Sequence, residues 1–187
     1  MKITNFNKGI ISSSLGSFWW GVFGTYYFQY ISFIGTIEVV VHRSIWTCAI
    51  LLITTTVFKK WHLLKKIIFD KKKIFLLIIT SVLIFGNWTV WIYAVSTNRI
   101  IDASFGYFIF PIISVFFGYL FLNEKLNKRR ILSVCLVILS SLYLFFNFTS
   151  LPWVGFAVAF LWSIYNLIRK KINVETDTGL LIESLFI

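Results

Sequence analysis

The side chains best suited to chemistry lie in one apolar stretch, TIEVVVHRSIW (36–46). Glu38, His42 and Trp46 are spaced by four and share one face of a helix, whereas Arg43 points about 100° away from His42. A carboxylate and an imidazole can carry protons, and a guanidinium can pair with an anion. The stretch therefore predicts a site for a proton, for an anion, or for both.

Arg43 lies seven residues into this stretch, roughly 10 Å along a helix at about 1.5 Å per residue. A charge at such a depth in an apolar segment usually faces a cavity or a partner. We expect Arg43 to do so, with Glu38, Asp102 or an anionic ligand as its partner. The alternative is that its long stem carries the charge back to the surface. His42 is expected either to carry a proton or to form an ordinary packing hydrogen bond.

Two further apolar stretches contain polar and aromatic side chains. In GNWTVWIYA (86–94), Asn87 and Trp91 share a helix face, and an amide in hydrocarbon needs a partner. Indole faces suit flat or cationic ligands, although an aromatic belt at the membrane surface is the alternative for Trp91. In the next stretch Pro111 frees the carbonyl of Tyr107 and predicts a kink. We therefore expect Tyr107 and Pro111 to border a pocket.

The elements that must position these residues are membrane helices. Of the 187 residues 58% are hydrophobic and only 13% are charged, whereas about a quarter are charged in a soluble domain. The sequence predicts an all-α, polytopic membrane helix bundle, because a helix needs about 20 apolar residues to cross a bilayer. Six spans can be drawn: Gly9–Gln29, Thr36–Phe58, Ile74–Ser96, Ala103–Leu122, Ile131–Phe146 and Pro152–Ile168.

A seventh apolar segment begins near Thr178 and is still apolar at Ile187. It is too short to cross a bilayer as a helix. This observation favours a chain that is a fragment of a longer protein; the alternative is that the last segment lies on another surface and does not cross the membrane.

The net charge of +11 is concentrated beside the spans, at Lys2 and Lys8 and in segments 59–73, 125–130 and 169–171. The loops between them, 30–35, 97–102 and 147–151, carry one basic residue, Arg99. Basic loops stay on the cytoplasmic side. The pattern predicts a multi-pass protein of the cytoplasmic (inner) membrane, surrounded by lipid, with its N-terminus in the cytoplasm. It does not predict a nucleic-acid partner, because the charges are divided among membrane loops.

The basic segment 59–73 has apolar residues between its lysines: Trp61, Leu64, Ile67 and Ile68. This pattern predicts a short amphipathic helix lying on anionic headgroups. A solvated loop is the alternative.

A repeated pattern connects the first and sixth spans. Small residues recur at Ser13, Ser17 and Gly21 and, 142 positions later, at Gly155, Ala159 and Ser163; Trp20 and Trp162 correspond in the same way. The second copy comes five spans after the first, which is an odd number, so it enters the membrane from the opposite side. Inverted repeats of this kind are typical of secondary transporters, although chance stripes of small residues are the alternative.

The order and combination of several motifs resemble the RarD (chloramphenicol-sensitivity) group of the EamA-type drug/metabolite transporter superfamily. The motifs are Glu38 with His42-Arg43 and Trp46, then NWTVWIYAV (87–95), DASFGYFIFP (102–111), FLNEKL (121–126), LPWVGFAV (151–158), IRKK (168–171) and TGLLIES (178–184). One departure is Asn123-Glu124, where the family commonly has Gly-Glu.

The resemblance implies a ten-helix carrier of two inverted five-helix repeats in the cytoplasmic membrane. Residues 1–150 would then be the first repeat, and residues 151–187 the opening of the second. It also implies a transporter and not an enzyme.

We therefore predict a secondary, gradient-driven transporter of a small organic solute or drug-like metabolite, or a non-functional fragment of one. No glycine loop for nucleotide phosphates and no cofactor motif is present. The alternative is a half-carrier or assembly subunit that acts as a membrane homodimer. The predicted solute-binding residues are Arg43, His42, Asn87, Trp91, Tyr107 and Pro111, with Glu38 as a coupling or ion-pair residue.

Overall fold

The computed structural model describes residues 5–187, with side chains from residue 7 onward. Every regular element in this range is helical. The α-helices are α1 (Asn5–Phe18), α2 (Thr25–Tyr30), α3 (Thr36–Val57), α4 (Trp61–Ile68), α5 (Lys71–Ser96), α6 (Ile100–Leu122), α7 (Lys128–Phe146), α8 (Trp153–Ile172) and α9 (Thr176–Phe186). A π-helical segment, Trp19–Gly24, joins α1 to α2.

Five of the six predicted spans each fall on one helix, whereas the first covers α1, the π segment and α2. Four helices are long and apolar enough to cross a membrane: α3, α5, α6 and α7. Large apolar side chains cover the outside of the bundle; Phe116 and Leu136 are examples on α6 and α7. A water-soluble protein rarely exposes so much contiguous apolar surface. The chain is therefore a multi-pass membrane protein with an all-α fold.

Short polar residues set the ends of several helices. The Asp70 carboxylate accepts hydrogen bonds from the Lys72 and Lys73 amides at the start of α5, and the Asn127 side chain accepts one from the Arg130 amide at the start of α7. These side chains satisfy backbone donors that have no partner within the helix. They fix where the two helices begin, and they place basic residues in the first turns of α5 and α7.

Helix α8 lies in close contact with α6. A Cβ atom added to Gly106 would lie 2.5 Å from the carbonyl oxygen of Gly155, and one added to Gly155 would clash with the carbonyl of Asp102. Small residues allow membrane helices to approach in this way, so the stripe predicted in the sixth span packs as expected. Its counterpart in α1, from Ser13 to Gly21, is exposed in the described structure.

The basic loops meet at one end of the bundle. Lys60, after α3, bonds to Glu175 at 2.8 Å and to Asp177 at 2.6 Å, before and within α9. Lys170, near the end of α8, pairs with Glu124, after α6. The lysine-rich loops after α3, α6 and α8 therefore share one end, as their charge predicts; Lys2 lies outside the described residues.

The opposite end is built around Arg99. Its Nε atom lies 3.1 Å from the Asp102 carboxylate, and its guanidinium lies 5.6 Å from the ring centre of Trp153. Tyr93 also packs against Trp153, with ring centres 6.0 Å apart. These contacts join the loops before α6 and before α8, which are the loops that carry almost no basic residues.

The basic segment 59–73 contains the helix α4, in agreement with the amphipathic pattern and not with the alternative of a plain loop. Two of its apolar residues, Leu64 and Ile67, are buried within the protein and pack in a cluster with Leu77, Ile172 and Leu181. Trp61 and Ile68 remain exposed. The expectation that this whole apolar face lies on headgroups is therefore wrong for Leu64 and Ile67, which pack on the bundle.

Candidate functional site

A cavity of about 290 Å³ lies among five helical segments of the bundle. The π segment, α3, α5, α6 and α8 each contribute to its lining, which consists of Trp20, Arg43, Asn87, Trp88, Trp91, Tyr107 and Trp162. We call it the tryptophan cavity, because four of the eight tryptophans of the chain line it. Four of the predicted binding residues meet here: Arg43, Asn87, Trp91 and Tyr107.

Arg43 is held in this cavity by aromatic rings. Its guanidinium carbon lies 4.0 Å from the ring centre of Trp88, 4.9 Å from that of Trp20 and 5.9 Å from that of Phe28. Such cation–π contacts strengthen when the cation is removed from water. The side chain of Arg43 therefore does not carry its charge back to the surface: its Nη1 atom is buried and has no hydrogen-bond acceptor among the described residues.

Neither carboxylate that we expected beside Arg43 forms an ion pair with it in the described structure. Asp102 pairs with Arg99 instead, because the two lie three residues apart at the start of α6. Glu38 is exposed, and it lies more than one helical turn before Arg43 on α3. Of the three expected partners of Arg43, neither Asp102 nor Glu38 pairs with it in the described structure, and an anionic ligand stays a prediction.

Asn87 links two helices at the wall of the cavity. Its Nδ2 atom donates a hydrogen bond of 3.0 Å to the carbonyl oxygen of Val158 on α8, and the side chain is buried. This bond supplies the partner that an amide in an apolar surrounding requires. The Oδ1 atom of Asn87 remains available to accept a hydrogen bond.

Trp91 belongs to an aromatic cluster inside the bundle and not to a surface belt. Its ring centre lies 5.1 Å from that of Trp20 and 5.5 Å from that of Phe28, in tilted and edge-to-face arrangements. These distances are typical of favourable aromatic pairs. Trp91 itself is buried. The cluster forms a rigid apolar wall on one side of the cavity.

Of the two binding residues predicted on α6, one lines the cavity and the other does not. Tyr107 lines the cavity. Pro111 lies one turn further along the same helix, is exposed, and is not part of the described cavity lining. The helix continues through Pro111 without ending.

His42 and Glu38 face a neighbouring pocket and not the tryptophan cavity. This second pocket has a volume of about 480 Å³ and is bordered by α2 and α3. Arg43 contributes to both spaces, so it separates them. Both His42 and Glu38 are exposed.

Three lining residues were not among the predicted binding residues: Trp20, Trp88 and Trp162. A signal for two of them exists in the sequence, because Trp20 and Trp162 occupy the same position of the repeated pattern, 142 residues apart. The π segment carries Trp20, and π segments inside α-helices occur frequently at functional sites. Trp88 is next to Asn87 in the sequence, but its contact with Arg43 depends on the packing of α5 against α3 and has no signal in the sequence.

A second polar group, the Glu183 cluster, lies where α9 packs on α5 and α8. Glu183 is 0% exposed and accepts hydrogen bonds from Thr80 Oγ1 at 2.6 Å and from the Tyr165 hydroxyl at 3.0 Å. Arg169 Nε lies 3.6 Å from the same carboxylate, and its side chain is 10% exposed. A buried charge needs partners of this kind. The guanidinium lies directly against Gly179, where a Cβ atom would clash with it.

Ion pairs at the lysine-rich end shift the pKa values of surface groups. The hydrogen bond to Asp177 raises the pKa of Lys60, and the same bond lowers the pKa of Asp177. The hydrogen bond from Lys170 lowers the pKa of Glu124. Opposite charges favour the charged form of each partner. These pairs connect α3 to α9 and α6 to α8 at one end of the bundle.

The fold and the cavity define a multi-pass membrane protein whose helices enclose an aromatic cavity with one charged residue. The model of the EamA-like transporter family matches residues 7–146. The chain therefore belongs to the EamA-like transporter family, which is a family of transporters and not of enzymes.

Relatives in bacteria agree with this assignment. Protein RarD of Salmonella typhi is 35% identical over 180 residues, which are 96% of this chain and 61% of the relative. Protein RarD of Escherichia coli (strain K12) is 36% identical over 96% of this chain and 60% of the relative. The uncharacterized transporter YojE of Bacillus subtilis (strain 168) is 30% identical over 100% of this chain and 63% of the relative. The resemblance to the RarD group is thus confirmed.

The chain spans about three fifths of the length of the curated relatives it matches. No solved structure matches the chain.

Proposed function

We propose that this chain forms the solute-binding part of a secondary, gradient-driven transporter for a small organic solute, and that the solute occupies the tryptophan cavity. The observation that carries the proposal is Arg43, a partly buried cation that forms no ion pair among the described residues, in a cavity inside a membrane bundle. An ionisable residue within a membrane usually marks a path for a substrate or an ion. Membership of a transporter family supports the same function.

The proposal includes two inverted repeats, residues 1–150 and the opening of a second repeat at 151–187. It is supported by the common cavity that Trp20 and Trp162 line, since they occupy equivalent positions of the repeated pattern. Binding sites of inverted-repeat transporters lie where the two halves meet. Movement of one repeat against the other would open the cavity to each side of the membrane in turn.

The proposed location is the cytoplasmic membrane, with the N-terminus in the cytoplasm. The ion pairs of Lys60 and Lys170 support it, because they collect the basic loops at one end. Reporter fusions in segment 59–73 and in loop 97–102 test this orientation. We expect the first to report cytoplasm and the second the opposite side; the reverse result would contradict the orientation.

If the driving gradient is a proton gradient, Glu38 or His42 is the proposed proton carrier, since both face the pocket that adjoins Arg43. The test compares Glu38→Gln and His42→Gln in a transport assay across pH. Loss of the pH dependence in either variant is the expected result. An unchanged pH profile in both variants would rule out this assignment.

Transport itself is tested in membrane vesicles from cells that express the chain. The vesicles receive a mixture of small metabolites without nucleotide and are energised by an imposed ion gradient, and retained solutes are identified by mass spectrometry. We expect at least one solute to accumulate. An ionophore should abolish this accumulation, and so should the Arg43→Gln substitution. Arg99→Gln is the control, because this arginine lies at the end of the bundle. Equal accumulation in all vesicles would contradict the proposal.

A further inference from the structure

We propose that the ligand of the tryptophan cavity is a small, flat organic anion, namely a one-ring or two-ring aromatic carboxylate. This inference rests on the proposed function, because it names the class of solute for the same cavity. It follows from three properties of the lining: its charge, the aromatic rings beside the Arg43 guanidinium, and the two indoles that do not contact the guanidinium.

The lining carries one formal charge, which is positive. Arg43 is the sole ionisable residue of the described lining that is charged at neutral pH, and no carboxylate borders the cavity. Its buried Nη1 atom has no acceptor among the described residues. In a surrounding of low dielectric constant, such a charge strongly favours an anionic ligand.

The aromatic rings do not form an empty cage for a cation. The guanidinium of Arg43 already lies over Trp88 and Trp20. A cationic ligand would have to displace it or lie beside a like charge in the same small space. A cation is therefore disfavoured, although indole faces alone would suit one.

The geometry around Arg43 also selects the shape of the anion. Indole rings already lie 4.0 and 4.9 Å from the guanidinium carbon, so we expect a partner to approach the edge of the guanidinium, where N–H groups point outward. Two parallel N–H groups fit the two oxygens of a carboxylate. The Tyr107 hydroxyl, in the same lining, can donate a further hydrogen bond.

The remaining surface suits a ring. Trp91 and Trp162 line the cavity without lying under the guanidinium, so their indoles can contact a flat apolar body. The volume of about 290 Å³ lies at the lower limit of ligand sites, which run from roughly 300 to 1,000 Å³. A small aromatic acid fits this space, and Asn87 lines it and uses its Nδ2 atom on Val158, so its Oδ1 atom can accept a bond from a ring N–H or hydroxyl group.

The test measures binding to the purified chain in lipid nanodiscs, by quenching of tryptophan fluorescence and by retention of radiolabelled ligand. The probes are benzoate, its neutral analogue benzamide, the cation benzylamine, and acetate, which has the charge without the ring. We expect saturable binding of benzoate and weaker binding of the other three. Arg43→Gln should weaken benzoate binding by about tenfold to a hundredfold, the range for a lost charge-assisted hydrogen bond, and should leave benzamide binding unchanged.

Arg99→Gln is the matched control. Arg99 also lies over a tryptophan, Trp153, but its guanidinium already pairs with the carboxylate of Asp102. Benzoate binding should therefore be unchanged in this variant. Arg43→Lys keeps the charge without the planar fork and should give an intermediate affinity.

Absence of benzoate binding, equal binding of benzoate and benzamide, or tighter binding of benzylamine would each overturn the assignment. If Arg43→Gln does not fold, the selectivity of the unaltered chain among the four probes decides. The outcome is separable from that of the transport assay. Gradient-driven accumulation of a neutral or cationic solute would support the transporter and contradict the anion site. Benzoate binding without any flux would support the anion site and contradict the transporter.

Discussion

The guanidinium of Arg43 lies over the indole of Trp88, with its central carbon 4.0 Å from the ring centre. The two residues come from different helices, α3 and α5, so this contact fixes the distance between them. Trp20 lies near the same guanidinium at 4.9 Å. The arrangement explains how a cation persists inside an apolar bundle: the rings replace part of the hydration that the charge has lost. Arg43 also lines the tryptophan cavity, so its charge borders the space that a solute would occupy.

Replacement of Trp88 should remove the cation–π contact that holds the Arg43 guanidinium. We expect Trp88→Leu to lower the stability of the chain by about 2 kcal/mol, through the lost cation–π contact and the space left behind. Thermal unfolding in detergent measures the loss. Trp19→Leu is the control, because Trp19 is exposed and its described ring contact is to the neighbouring Phe23. Equal losses in both variants would show that the contact with Arg43 contributes nothing specific.

The close approach of α6 and α8 depends on two glycines. Gly106→Ala would place a methyl group 2.5 Å from the carbonyl oxygen of Gly155. We expect a loss of about 1–3 kcal/mol, since well-packed helices must separate to accept the extra atom. Gly16→Ala is the control, because nothing lies within 4 Å of a Cβ atom at that position. Stability of Gly106→Ala equal to that of the unaltered chain in the same unfolding assay would contradict the close contact.

Much of this architecture could be predicted from the sequence, because hydropathy and charge act locally. Long apolar segments give the helices, and lysine-rich loops collect at one end. The convergence of Arg43, Asn87, Trp91 and Tyr107 could also be predicted. Polar groups are costly in an apolar bundle, so they tend to face a common cavity. Their roles in solute binding remain predictions.

The choice of partners could not be predicted, because it depends on packing between distant segments. Asp102 is a reasonable partner for Arg43 by charge, yet the nearer Arg99 pairs with it. Glu183 finds Thr80, 103 positions earlier, through the packing of α9 on α5. The three-residue spacing of Arg99 and Asp102 could have indicated their pairing, whereas no local pattern predicts the contact of Glu183 with Thr80. The π segment likewise changes the direction of Trp20, and the amphipathic pattern of 59–73 did not show that Leu64 would be buried by protein.

The turn after α6 places Asn123 in a left-handed backbone conformation. Asn123 ends the helix with φ 53° and ψ 33°, and the Glu124 amide donates to the carbonyl of Gly118. Glycine adopts this left-handed conformation most readily, and asparagine is the usual substitute. We expect Asn123→Gly to keep or slightly raise stability, and Asn123→Val to lower it by roughly 1–2 kcal/mol. Equal melting temperatures for the two variants would contradict the role of this turn.

The bond between Lys60 and Asp177 predicts a pH dependence at the lysine-rich end. The pKa of Asp177 is lowered by the hydrogen bond from Lys60, so its contribution is present above about pH 4 and is lost as the pH falls through the lowered pKa. The pKa of Lys60 is raised by Asp177, so its contribution is present below about pH 10 and is lost as the pH rises through the raised pKa.

Hydrogen exchange in the first turn of α9 measures this bond. Exchange protection there should be greatest between the two limits and should fall outside them. Lys60→Met should flatten the profile at both ends, whereas Lys65→Met, on the exposed side of α4, should not. The effect is expected to be small, because surface ion pairs are weak. A profile that is identical in Lys60→Met and in the unaltered chain would contradict the prediction.

The Glu183 cluster should contribute more than any surface pair. Glu183→Gln removes the negative charge opposite the buried Arg169, and loss of one partner of a buried pair costs roughly 3–5 kcal/mol. We expect a comparable loss of stability on chemical unfolding in mixed micelles. The double variant with Arg169→Gln should be less destabilised than the sum of the two single changes, because neither charge is then left alone. Glu38→Gln is the control, since Glu38 is exposed on α3 and forms no ion pair in the described structure. Strict additivity of the two changes would show that Glu183 and Arg169 do not act as a pair.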